Sequence, residues 1–134
     1  MDETRLRSIP LFSGLSKKQL REVARHADEV DVPEGKNLLQ EGSTPCEFFA
    51  IEDGSVEVRR DNEVLAQLGP GDFFGETALL DRGVRNATVT TVAPSTLVVM
   101  TPQEFRAMAT AMPSVATQLQ RAMEERAAAV AAQA

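Results

Sequence analysis

Residues 74–89 read FGETALLDRGVRNATV, and this stretch constrains both the fold and the chemistry of the chain. It sets a carboxylate, Glu76, nine residues before a guanidinium, Arg85, with glycine and small side chains around both. Glu76 can accept hydrogen bonds from a hydroxyl, and Arg85 can grip phosphate oxygens through a two-pronged, charge-assisted contact. Between them ETALL, which carries Thr77 and Ala78, suits one short helical turn whose free backbone N–H groups point at the same anion. The set fits a small ligand with both a hydroxyl and an anionic phosphate. Taken singly, each residue has a plainer role. Arg85 would form a surface ion pair with Asp81 or Glu76, and Glu76 would be an acidic residue favoured by a helix N-terminus.

The remainder of the chain narrows the setting. Its 134 residues suit one domain around one core, with 43% hydrophobic and 25% charged residues as in ordinary globular proteins. The formal net charge of −6 argues against a polyanionic partner such as DNA or RNA, which a basic face would recognise. One small phosphate needs only a local positive site. No apolar run approaches the length of a membrane span, and the opening MDETRLRSIP has no signal-like apolar region. A cytoplasmic protein with no membrane partner is the default expectation. Cys46 is the sole cysteine, so an intrachain disulfide is excluded.

Three parts are expected within a single domain, 1–134. Residues 1–27 are read as N-terminal helices: Ser16-Lys17-Lys18-Gln19 is a capping-box pattern, and Leu20, Val23, Ala24 and Ala27 then fall on one helical stripe. Residues 28–101 are read as a β-roll. KNLLQ, EFFAI, SVEVR, EVLAQL, ATVTTVA and STLVVM are strand candidates separated by turn signals such as Pro33-Glu34-Gly35, Asp53-Gly54 and Arg60-Asp61-Asn62. Short, evenly spaced strands point to a mainly β fold, an antiparallel jelly roll (double-stranded β-helix), with the ETALL turn as its interruption. Residues 102–134 are read as two helices. Thr101-Pro102-Gln103-Glu104 caps the first, which ends before Pro113; Val115, Leu119, Ala122, Met123 and Val130 lie along one side of the second.

With these residues in view, the chain resembles the cyclic nucleotide-binding domain of bacterial catabolite activators, protein kinase A regulatory subunits and cyclic nucleotide-gated channels. PEG at 33–35, EGS at 41–43, GSVEV at 54–58 and LGPGDFFGETALL with the following R-N-A-T-V up to Val89 carry the likeness. It implies that 74–89 is the phosphate-binding cassette. By this resemblance Glu76 would bind the ribose 2′-hydroxyl and Arg85 the exocyclic oxygens of the cyclic phosphate. Backbone N–H groups near Gly75, Ala78 and Asn86 would complete the cradle. Ala87 and Thr88 would fill the small-residue and hydroxyl positions after the arginine. Val58, Leu65 and Leu68 would wall the base, and the last helix would close over it as a lid.

The same resemblance leaves the base open. Family members with Thr after the arginine often favour guanine, and those with Ala or Ser favour adenine. Asn86 departs from both, and cAMP is the favoured expectation over cGMP. In the lid, Val130 or Ala131 stands where the bacterial activator presents a hydroxyl; Arg126, Gln118 and Gln133 are the polar candidates on this helix, and Arg126 either reaches Glu76 or the base or is an exposed helix cation. The resulting expectation is a regulatory module, not an enzyme and without a cofactor, that signals by moving its C-terminal helices. A ligand-free interaction domain, or a homodimer through the C-terminal helix, is the rival reading. A metal-dependent enzyme would need several His and acidic ligands on strands, whereas the single His26 lies on a helix.

Overall fold

The computed structural model of the chain describes residues 3–10, 12–40, 47–74 and 87–125 apart from 115, 118, 119, 122 and 123. A short helix α1 (Glu3–Arg7) and helix α2 (Lys17–His26) precede strands β1 (Asp28–Val32), β2 (Asn37–Leu39), β3 (Phe48–Asp53), β4 (Val56–Arg60), β5 (Glu63–Leu68), β6 (Phe73–Phe74), β7 (Thr88–Thr91) and β8 (Ser95–Met100). Helix α3 (Pro102–Ala111) follows, and the described residues of 113–125 are helical.

Local chemistry sets the helix ends. The Ser16 side chain accepts from the Gln19 N–H while the Gln19 side chain accepts from the Ser16 N–H, and Thr101 and Glu104 repeat this reciprocal pairing before α3. In α2, Leu20 and Val23 are buried on the predicted stripe.

The strands form two four-stranded antiparallel sheets, in the orders β1-β8-β3-β6 and β2-β7-β4-β5. The first strand pairs with the eighth, the second with the seventh, the third with the sixth and the fourth with the fifth. That nesting is a long hairpin wrapped into a jelly roll, as the strand spacing predicts. Strand β1, which reads DEVDV, was not among the strand candidates. Three acidic residues in five conceal it, and it is stable because β8 supplies five register partners.

Strand β3 faces apolar surroundings on both sides, so Phe48, Phe49, Ala50 and Ile51 are all buried. Alternation sends Phe48 and Ala50 outward, where they join Leu6, Phe12 and Leu20 from the N-terminal segment and Met108 from α3. Phe49 and Ile51 turn inward to meet Val56 and Val89 of the second sheet. Fully burying one such side chain contributes roughly 1.5–3 kcal/mol. The first sheet is therefore the shared wall between helices and roll.

A polar fastening closes the turn between β1 and β2. Thr91 is 1% exposed, and its Oγ1 donates to Pro33 O at 2.7 Å and accepts from the Lys36 N–H at 2.8 Å. The Thr91 carbonyl accepts from Gly35 N, and the Thr91 N–H donates to Lys36 O. Thr91→Val keeps the shape but strands two backbone groups. The expected cost is about 1–3 kcal/mol, seen as a lower urea midpoint with an unchanged m-value.

Candidate ligand-binding site

Phe74 and Ala87 flank the stretch 75–86, and the fold holds them on opposite sheets. Phe74 pairs with Phe49 in β3, and the two rings stack with centroids 4.9 Å apart and planes 12° apart. Ala87 is 9% exposed immediately before β7, and the next residue, Thr88, stands opposite Arg59 of β4. The ends of the sequence-predicted cassette are thus fixed by the core of the roll.

Beside Ala87 lies an apolar wall built by register. Val58 of β4 stands between Val89 of β7 and Ala66 of β5, and Val56 stands between Thr91 and Leu68. Val58 and Leu68 pack against the inner cluster but stay half-buried, and Ala66 is exposed. Alternation directs Glu57 and Arg59 to the other face, where they pair with each other. Strands β4, β5 and β7 therefore offer an apolar inner surface that can meet a flat, uncharged ring.

Leu65 differs from its two predicted partners. Val58 pairs with Ala66 and Arg59 with Val64, which leaves Leu65 as an extra residue at a β-bulge. It is 46% exposed, beside Val64 at 51%, and outside the inner cluster. The β4–β5 hairpin closes on Asp61 and Asn62, both at positive φ (52° and 67°), which gives the two-residue turn its tight reversal. Alternation alone does not reveal the bulge, since EVLAQL reads as an unbroken strand.

Of the predicted site, Val58 and Leu68 are brought together by the inner wall, Ala87 and Thr88 lie at its edge, and Leu65 is displaced from it. Gly75, Glu76, Thr77, Ala78, Arg85, Asn86 and Arg126 lie outside the described residues, as does Cys46. Ala66 is an addition; its place opposite Val58 follows only from the bulge. Among the described residues, no cluster of three or more His, Cys, Asp or Glu is placed to hold a metal, and no helix is long and apolar enough to cross a membrane.

Comparison with known proteins bears on the same surface. The profile described as the cyclic nucleotide-binding domain matches residues 29–111. A cAMP-dependent protein kinase regulatory subunit of Schizosaccharomyces pombe is 38% identical over 88 residues, covering 65% of this chain and 21% of the relative. A cyclic nucleotide-gated potassium channel of Mesorhizobium japonicum is 33% identical over 126 residues, covering 93% of this chain and 35% of the relative. The chain thus spans about a fifth to a third of the length of these curated relatives. Among solved structures, the catabolite activator protein of Thermus thermophilus superposes with a TM-score of 0.81 at 27% identity, over 92% of this chain and 61% of that one. The nested two-sheet roll and the profile match over most of the strands agree, and the chain belongs to the cyclic nucleotide-binding domain family.

Proposed function

We propose that this chain is a cyclic nucleotide sensor module. The carrying observation is the coincidence of two things. Glu76 and Arg85 stand in the sequence between Phe74 and Ala87, and those two residues border the apolar wall formed by Val58 and Leu68. In this reading Glu76 accepts from the ribose 2′-hydroxyl, and Arg85 holds the two free phosphate oxygens. N–H groups of Gly75, Ala78 and Asn86 complete the phosphate cradle, with Thr77 in the intervening turn. Thr88 stands at the edge of the cradle beside the small Ala87. Val58, Leu68 and Leu65 contact the base; exposed Leu65 gains cover only when a base or lid lies over the hairpin.

Ligand class follows from charge and shape. A cyclic phosphate bears one negative charge over two oxygens, which one guanidinium matches with bonds worth roughly 1.5–3 kcal/mol each. The names of the kinase regulatory subunit and the gated channel support a cyclic mononucleotide, and cAMP is preferred over cGMP. The output is a shift of the C-terminal helices, residues 102–134, with Arg126 approaching the site in the bound state. That shift is bounded by the ligand's differential affinity for the two positions. The net charge of −6 supports a regulator without a nucleic-acid partner of its own, and a cytoplasmic location is part of the proposal.

Calorimetric titration with cAMP and cGMP tests the reading, together with mass spectrometry for a copurifying nucleotide. Heat and a thermal shift are expected with cAMP at lower concentration than with cGMP. No heat and no shift at millimolar ligand would sink it. The spacing of Val115, Leu119, Ala122 and Met123 favours a second role for the last helix, pairing with its twin in a homodimer. A chain truncated before Pro113 is then expected to be monomeric by light scattering; if it stays dimeric, the helix is not the interface.

A further inference from the structure

Apolar contact is only part of what holds α1 to the outer face of the first sheet. Leu6 enters the outer core at 0% exposure, and its neighbour Arg5 reaches two carboxylates on different strands. Arg5 Nη1 lies 2.5 Å from Glu29 Oε1 on β1, and Arg5 Nε lies 3.8 Å from Glu52 Oε1 on β3. These strands are not neighbours; β8 runs between them. Glu52 takes its place through a bulge: Ile51 pairs with Leu97 and Asp53 with Thr96, which leaves Glu52 without a register partner on β8.

Ion pairing with Arg5 accounts for one oxygen of each carboxyl. The other two, Glu29 Oε2 and Glu52 Oε2, are both shut away from solvent, and with both groups ionised neither receives a hydrogen bond. A carboxylate oxygen cannot donate, so two ionised groups leave both in deficit. One proton held between them turns one oxygen into a donor for the other.

We propose that Arg5, Glu29 and Glu52 form a proton-operated clasp: α1 stays fastened to the sheet while the two carboxyls share one proton, and the fastening weakens when that proton leaves, because a second half-buried carboxylate must then be hydrated. The charges facing the pair are Arg5 from α1 and Asp31 from β1; β8 contributes uncharged Thr96, whose hydroxyl donates to Asp31 Oδ1 at 2.8 Å. Further along α1, Glu3 pairs with Arg21 of α2 at 3.5 Å. Burial pushes the Glu52 carboxyl up to about 7; the hydrogen bond with Glu29 and its charge add to this, Arg5 opposes it and Asp31 reinforces it. Arg5 holds Glu29 below the usual carboxylate range, followed by the hydrogen bond with Glu52 and, at longer range, the amino-terminal charge. Opposite shifts on two touching carboxyls are the behaviour of a pair that titrates as one unit around a shared proton.

The sign follows by linkage. Glu52 binds its proton more tightly in the clasped state than in the released one, where its ordinary value of 4.5 applies. The proton's contribution to the clasp is therefore complete below that value, declines as pH rises through the window from 4.5 to about 7, and is absent above it. Residue-specific carboxyl carbon NMR on the full chain, with amide exchange of residues 3–7, tests this. Glu52 is expected to titrate near 7, and the protection of α1, corrected for intrinsic exchange, to fall about tenfold between pH 6 and pH 8. Glu52→Gln, whose amide donates to Glu29 at every pH, should flatten that change. Arg5→Gln should move the Glu52 midpoint up and Glu29→Gln should move it down, shifts that a purely space-filling role would not produce. A Glu52 midpoint in the ordinary carboxylate range overturns the clasp, as does a tenfold loss that persists in Glu52→Gln. Should the variants fail to fold, the titration of the unmodified chain decides.

Discussion

Replacing Arg85 with alanine is expected to weaken cAMP binding by about 2–5 kcal/mol, or roughly 30- to 5,000-fold in Kd. The size comes from what remains: a phosphate already stripped of water, with its charge unpaired. Arg85→Lys should recover part of the loss, because an ammonium restores the charge without the planar two-pronged contact. Calorimetry on the three proteins, with thermal melts to show that the unliganded fold is intact, checks the ranking. A change below tenfold for Arg85→Ala would remove this residue from the role of phosphate clamp. Glu76→Gln should cost less, since a neutral amide still accepts from a hydroxyl.

Gly54→Ala is expected to be the most destabilising of the simple replacements among the described glycines. Gly54 sits at φ +98°, and a Cβ built there would lie 2.2 Å from Ser95 Oγ and 2.6 Å from Ser95 Cα. The obstacle includes backbone, so no rotamer relieves it. Ser95 is itself 4% exposed, donates to Ala93 O and accepts from the Ser55 N–H. Strain and displacement together should cost about 3–5 kcal/mol, enough to lower Tm by roughly 10 °C or more. Gly35 tests the attribution. Its φ is +83°, but nothing lies within 4 Å of its would-be Cβ, so Gly35→Ala should cost only about 1–2 kcal/mol from the backbone. Chemical denaturation of both variants separates steric from conformational cost; equal losses would mean that the approach of Ser95 is not the cause.

These two glycines illustrate where the sequence was legible. Both turns were readable, because a turn is announced by the residues that make it: Pro33-Glu34-Gly35 and Asp53-Gly54 each reverse the chain where expected. The caps of α2 and α3 were readable for the same reason, each being complete within four residues. What crosses the fold was not. Nothing near Gly54 in the chain signals that Ser95 will press against it, just as nothing in DEVDV or FFAIED signals that Glu29 and Glu52 will face one guanidinium. The bulge that displaces Leu65 and exposes Ala66 depends on how β4 and β5 register. In the site, Val58 and Leu68 were named by the family resemblance, and both pack against the inner cluster. The stretch 75–86, read as the cassette from residue type, spacing and resemblance, lies outside the described residues, and its contacts with ligand rest on the proposed function.

The nested pairing of strands has a consequence for how such a module travels between proteins. The first and last strands of the roll lie side by side, with Asp28 opposite Val99 and Val32 opposite Ser95. The points where the chain comes into the roll and goes out of it are thus about one strand spacing apart, roughly 5 Å. A host chain can be opened at a single peptide bond and receive the whole roll without stretching its own structure. Because α2 and α3 share one outer core with that sheet, the two splice points also move as a coupled pair, so an inserted roll can pull on both ends of its host at once.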